Sequence, residues 1–197
     1  MAFTPRLSVY SPTYLGPTQD YPNGNPFYYS SDNTYYRYGY GLPNCTAYCY
    51  GRAAEIDGEF GYYLPPIQDA GEWLDWVQDN HTCDTGMQPA LGAIACWYDP
   101  NGVYDGHVAT VEEIAADGTV TFSQSGWLNR PLPDWTFNFW LSHTDVSTDY
   151  MEQWAINRGY EFKGFIYAYE RPTPPTPTYR KEKNMPVWMM LRSYAKY

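Results

Sequence analysis

Positive charge is scarce in this chain: 12 Lys plus Arg stand against 22 Asp plus Glu in 197 residues, a net charge of -10. That balance excludes a polyanion held by a broad basic surface, so nucleic acid is not expected as a partner. Cysteine numbers only four, at Cys45, Cys49, Cys83 and Cys96. Thiols so few and so irregularly spaced do not make a disulfide framework in a chain this long, and they read as free thiols of a reducing compartment. No apolar run approaches the length of a membrane-spanning helix. The first thirty residues lack a basic start followed by an apolar stretch, so no signal peptide is expected. Charged residues make up only 17% against 44% hydrophobic ones, which excludes a disordered chain and suits one folded domain with a short appendage.

What the chain has in excess is tyrosine, 22 residues, together with 17 prolines and 16 glycines. That composition favours loops and strands and excludes long helical bundles. Residues 1–24 lack hydrophobic periodicity and read as an extended arm. From Pro26 the tyrosines crowd together, up to the turn Gly41-Leu42-Pro43-Asn44. Asn44 is placed to cap a helix over Cys45 to Asp57, stopped by Gly58. A second short helix is expected around Ala70 to Gln78, where Trp73, Leu74 and Val77 fall at helical spacing, and a loop over His81 to Gln88. Strands are expected at Ala93 to Tyr98, His107 to Ile114, Thr119 to Gln124 and Phe162 to Tyr169. A helix followed by an antiparallel meander is an α+β arrangement, with residues 25–170 as its domain. The Pro-rich run 171–178 is a semi-rigid linker. The tail 179–197 carries five basic side chains and one acid, so its +4 leaves -14 for everything before it.

Cys45 falls at the start of the first helix, where unpaired N–H groups and the positive end of the helix dipole favour thiolate over thiol. His107 opens the strand Gly106-His-Val-Ala-Thr-Val111. A four-residue loop from Ile114 to Asp117 would set His107 opposite Gln124, Ala109 opposite Phe122 and Val111 opposite Val120. The other face then carries Val108, Thr110 and Glu112 with Ser123, Thr121 and Thr119, which separates an apolar from a polar side. In that register the Gln124 amide oxygen can accept from one ring nitrogen of His107 and leave the other to face a thiol.

These residues stand in longer strings: Gly39-Tyr-Gly-Leu-Pro-Asn-Cys45-Thr-Ala-Tyr-Cys-Tyr-Gly-Arg52-Ala, then Pro89-Ala-Leu-Gly-Ala-Ile-Ala-Cys-Trp97, then Gly106-His107-Val-Ala-Thr-Val-Glu-Glu-Ile114. They resemble the CHAP family, the cysteine, histidine-dependent amidohydrolase/peptidase domains of phage endolysins and bacterial wall hydrolases. Thr121 to Trp127 and Phe162 to Tyr167 resemble the family's later strands. The resemblance implies a papain-like fold of the NlpC/P60-CHAP type, an N-terminal helix bearing the cysteine packed on an antiparallel sheet bearing the histidine. It implies Cys45 as nucleophile, His107 as general base and acid, and Gln124 as the orienting group, where relatives usually carry Glu or Asn. Peptidoglycan is the implied substrate, and a phage endolysin in the host cytoplasm or a virion lysin the implied setting. Some relatives bind calcium through acids upstream of the cysteine; Tyr36 to Tyr40 has no carboxylate, so neither a metal site there nor a cofactor is expected.

Tyr38, Tyr40, Trp97 and Trp127 are the candidates for substrate contact, with the hydroxyl of Tyr38 or Tyr40 as a donor to the oxyanion beside the Cys45 N–H. Cys49, Cys96, His81 and Cys83 read as core or loop residues. Two other classes stand beside the hydrolase: an amidase on a non-wall substrate, and a non-catalytic wall-binding or virion protein. The tail has two readings, a frayed terminus or a short amphipathic element for a wall polymer, a membrane surface or a virion partner. Deleting residues 179–197 separates them: weaker sedimentation with sacculi marks a contact element, and unchanged sedimentation marks a frayed end.

Overall fold

The computed structural model describes residues 3–8, 23–61, 63–126, 140–144 and 159–169. Two single-turn helices, α1 (Pro26–Tyr29) and α2 (Thr34–Arg37), come first, and each is opened by an asparagine. The Asn25 side chain accepts from the Phe27 N–H, and that of Asn33 from Tyr35 and Tyr36. The Asn33 amide in turn donates to the carbonyls of Phe27 and Ala47 at 2.9 and 3.1 Å, tying both turns to the next helix. That helix, α3 (Cys45–Asp57), has the expected bounds. Asn44 Oδ1 accepts the Ala47 N–H at 2.8 Å, and Gly58 at φ 84 ends the helix in the left-handed region. A 3-10 turn (Ala70–Glu72) leads into α4 (Trp73–Asn80).

Six antiparallel strands follow: β1 (Thr85–Gly86), β2 (Ile94–Tyr98), β3 (His107–Ile114), β4 (Val120–Gln124), β5 (Trp140–Thr144) and β6 (Glu161–Ile166), in the spatial order β1-β6-β2-β3-β4-β5. Neither α1 nor α2 was anticipated, nor were three features of the strands. β1 lies inside the expected loop 81–88, β5 is an additional strand, and β6 ends at Ile166 instead of Tyr169. The linker, the tail, most of the arm and Trp127 lie outside the described residues.

The sheet is covered on the helical side by α3 and α4, whose Ala47, Tyr48, Cys49, Trp73, Leu74 and Val77 pack with Ile94, Cys96, Val108 and Ile166. Its other side gathers Ala95, Trp97, Ala109, Val111, Val120, Phe122 and Phe165, all fully buried. The expected polar face of β3 and β4 is therefore not a solvent face. Thr110, Glu112, Thr121 and Ser123 are buried; Thr110 and Glu112 bond Cys49 and Arg52 of α3, and Ser123 bonds Glu112.

The strand register also differs from expectation. Val111 pairs with Phe122 and Thr110 with Ser123, then the pairing shifts so that Glu113 meets Thr121 and Ile114 meets Val120. Glu112 is the extra residue of this bulge. Its carboxylate accepts from Arg52 Nε at 2.9 Å and Nη2 at 2.8 Å, from Ser123 Oγ at 2.5 Å and from the Arg6 backbone N–H at 2.7 Å. Arg6 comes from the arm, yet it is 2% exposed. Its guanidinium donates to Tyr28 and Tyr48 at 2.9 and 3.0 Å and spans both oxygens of Glu55, which also receives Arg52 Nη1 at 2.9 Å. Two cations and two anions thus compensate one another under α3, and residues 3–8 belong to the folded body.

Removing one member of such a cluster leaves a buried charge without its partner. Arg6→Met should therefore destabilise the protein by about 3–5 kcal/mol in urea unfolding, and a loss under about 1 kcal/mol would show the cluster to be dispensable.

Candidate active site

Helix α3 delivers Cys45 in its first turn, half-buried against the core beneath it. The backbone amides of Val108, Thr46 and Cys45 itself act on the sulfur, so the nucleophile candidate sits near the start of β3. Burial pushes the Cys45 thiol up to about 11; the three amides pull it down by less, and Asp105 pushes it up further. This corrects the sequence-based expectation. The helix N-terminus acts in the direction proposed, but desolvation outweighs it, so the helix start alone does not make a thiolate.

His107 is 5% exposed and Gln124 fully buried, and His107 Nε2 lies 2.7 Å from Gln124 Oε1. An amide oxygen only accepts, so Nε2 carries the hydrogen and Nδ1 is the nitrogen able to take a proton. The two residues are not the directly opposed pair expected. The pairing of Val111 with Phe122, carried two residues further, sets Ala109 across from Gln124 and leaves His107 on the diagonal. Diagonal neighbours on one face lie about 7–8 Å apart, a span within reach of a long side chain. The glutamine at the place where relatives carry Glu or Asn has the reach that this register asks for.

The strand entry is held by backbone against backbone. Gly71 N–H donates to the Asp105 carbonyl at 2.8 Å, and Gly106 adopts φ +80 so close by that a Cβ there would stand 2.5 Å from the Trp97 carbonyl and 2.6 Å from the Gly71 nitrogen. This clasp, the Val108 amide and Asp105 are parts of the site that sequence reasoning missed. The glycine immediately before His107 was the only visible sign of them.

Of the residues proposed for substrate contact, Tyr38 and Tyr40 are 60% and 46% exposed and available for it. Trp97 is not. It is fully buried, tilted against His107 and edge-on to Phe122 and Phe162, so the expected substrate contact is corrected to a packing role. Cys49 is buried beneath Cys45, with its sulfur 3.6 Å from the Thr110 hydroxyl, and Cys96 is buried in β2. Among the described residues no group of three His, Cys, Asp or Glu side chains stands together as metal ligands.

Comparison with known proteins relates this arrangement to a family. Residues 33–126 match the model of the CHAP domain. This region resembles a CHAP domain. Cys45, His107 and Gln124 all lie within the matched span, whereas the arm residue Arg6 and the strands β5 and β6 lie outside it. No curated protein matches the chain. A solved structure described as N-acetylmuramoyl-L-alanine amidase from Staphylococcus aureus is similar over 62% of this chain at 20% identity with a TM-score of 0.38, and the chain spans 30% of that protein's length. The architecture, a cysteine-bearing helix on an antiparallel sheet bearing the histidine, is the α+β arrangement that the resemblance implied.

The site generates a direct test of where the thiolate comes from. With burial raising the Cys45 thiol, its deprotonated fraction grows only as pH climbs towards about 11 unless a base takes the proton. Alkylation of Cys45 by iodoacetamide should therefore proceed at pH 7 in the wild type and, in His107→Ala, rise only above the ordinary thiol range of about 8.5. Equal rates at pH 7 would assign activation to the helix start instead.

Proposed function

We propose that this CHAP-like domain is a cysteine amidohydrolase/peptidase that hydrolyses an amide bond of bacterial peptidoglycan, using Cys45, His107 and Gln124. The observation that carries the reading is the buried 2.7 Å contact between His107 Nε2 and Gln124 Oε1, next to a cysteine sulfur set at a helix start against the Val108 amide.

In this reading His107 Nδ1 takes the Cys45 proton as Sγ attacks the amide carbon. The carbonyl oxygen becomes an oxyanion facing the Cys45 backbone N–H, with a hydroxyl from Tyr38 or Tyr40 as second donor. Collapse breaks the C–N bond, and the proton on Nδ1 passes to the departing amine, leaving a thioester. A water then gives a proton to Nδ1, attacks the thioester carbon and releases the acid, and the sulfur regains its proton. Gln124 holds the ring through Nε2 throughout, which keeps the proton-carrying nitrogen constant while Nδ1 shuttles.

The bond proposed is the amide between N-acetylmuramic acid and L-alanine or one within the stem peptide or cross-bridge. The setting proposed, on family resemblance alone, is a bacteriophage endolysin held in the host cytoplasm until release, or a virion-associated lysin. The unit proposed for this work is 25–170 together with arm residues 3–8, which Arg6 ties to it, and it is joined by the linker 171–178 to the tail.

Digestion of sacculi from several Gram-positive species, with the new ends identified by mass spectrometry, tests the reading. Wild type should release defined amine and carboxyl ends, and Cys45→Ala none. Identical products from both proteins, or none from either, would remove Cys45 as nucleophile or peptidoglycan as substrate.

A further inference from the structure

His107 has a cross-strand partner whose role the reaction leaves unassigned. In the pairing of β2 with β3, Trp97 stands opposite His107, and the two ring centroids lie 5.8 Å apart at an interplanar angle of 40°. The indole also meets Phe122 at 5.9 Å and Phe162 at 5.6 Å, both edge-on. Phe122 lies two residues before Gln124 on β4 and therefore on the same face of the sheet as the amide. Trp97 thus touches one member of the His107–Gln124 pair and packs on the neighbour of the other. The Nε1–H of this fully buried indole has no hydrogen-bond partner among the described residues. What the surroundings use is its ring.

We propose that Trp97 is a positioning residue: its buried ring sets the orientation of the His107 imidazole and keeps water from the His107–Gln124 hydrogen bond. The inference rests on the hydrolase reading for its kinetic consequence, but not for its structural one. A hydrogen bond of this kind is stronger in a dry surrounding, and water admitted beside it would compete for both the ring N–H and the amide oxygen. A ring left free to swing would hold Nδ1 away from the sulfur more of the time, which costs catalysis without touching substrate binding.

The test compares Trp97→Phe, which keeps a ring and drops the N–H, with Trp97→Leu, which drops both. Should Trp97→Leu fail to fold, Trp97→Met fills the space without a ring. Phe165→Leu serves as the control for lost core packing, because Phe165 is fully buried on the same side of the sheet and packs on Phe162 instead of His107. In nuclear magnetic resonance, the His107 Nε2 proton should exchange slowly in wild type, Trp97→Phe and Phe165→Leu, and fast or invisibly in Trp97→Leu. On sacculi, kcat should fall about 10–100-fold in Trp97→Leu with KM within about twofold, and stay near wild type in Trp97→Phe and Phe165→Leu. Equal losses in Trp97→Leu and Phe165→Leu would reduce Trp97 to ordinary core, and loss of kcat in Trp97→Phe equal to that in Trp97→Leu would make the N–H its function. A wild type without turnover would sink the hydrolase reading alone, since the proton exchange rates still decide the role of Trp97.

Discussion

The structure turns on one buried carboxylate. Glu112 belongs to β3, the strand that His107 opens, and is bound by Arg52 from α3, the helix that Cys45 opens. Helix and strand could otherwise slide along one another, because most of their contact is small or polar: Ala47 and Cys49 above, Val108 and Thr110 below. A bidentate contact between a guanidinium and a carboxylate has a single good geometry. It fixes the axial position of α3 over β3, and with it the place where the Cys45 sulfur meets the Val108 amide. A second ion pair, Arg6 with Glu55, lies beside the first, and Arg52 also joins Glu55, so the four side chains act as one unit.

That unit also accounts for the sheet's irregularity. Carried back without the bulge, the pairing of Ile114 with Val120 would put His107 and Gln124 on opposite faces; the one extra residue at Glu112 returns them to one face as diagonal neighbours. A short amide would fall short on a diagonal; a glutamine arrives at 2.7 Å. The orienting residue and the charge cluster, on opposite faces of the same two strands, are in this sense consequences of a single register.

Much of this was legible in the chain. The bounds of α3 could be read because capping is local: Asn44 and Gly58 each act within a few residues. The strand parity of β3 and β4 could be read because alternation survives any even shift, so His107, Phe122 and Gln124 were placed on one face correctly although their pairing was not. The bulge could not be read, since it depends on two arginines distant in sequence. β1 was invisible for a similar reason, being two residues whose only claim to be a strand is their pairing with β6. The tyrosine cluster divides in a way composition does not reveal: Tyr28 and Tyr35 are buried with their hydroxyls bonded to Glu55 and to the Pro65 carbonyl, while Tyr36, Tyr38 and Tyr40 face outward. The desolvation of the Cys45 thiol could not be read, because helix position is visible in a sequence and burial is not.

The arm's reach has a bearing on inheritance and engineering. A domain grafted as a cassette is cut at its family boundary, and the boundary here opens at residue 33. A graft cut there would carry Arg52, Glu55 and Glu112 into a new host but leave Arg6 behind, exporting three of the four charges with one carboxylate unbalanced. The charge-balanced unit is larger than the recognisable one, and its first side chain lies 27 residues ahead of the point where resemblance begins.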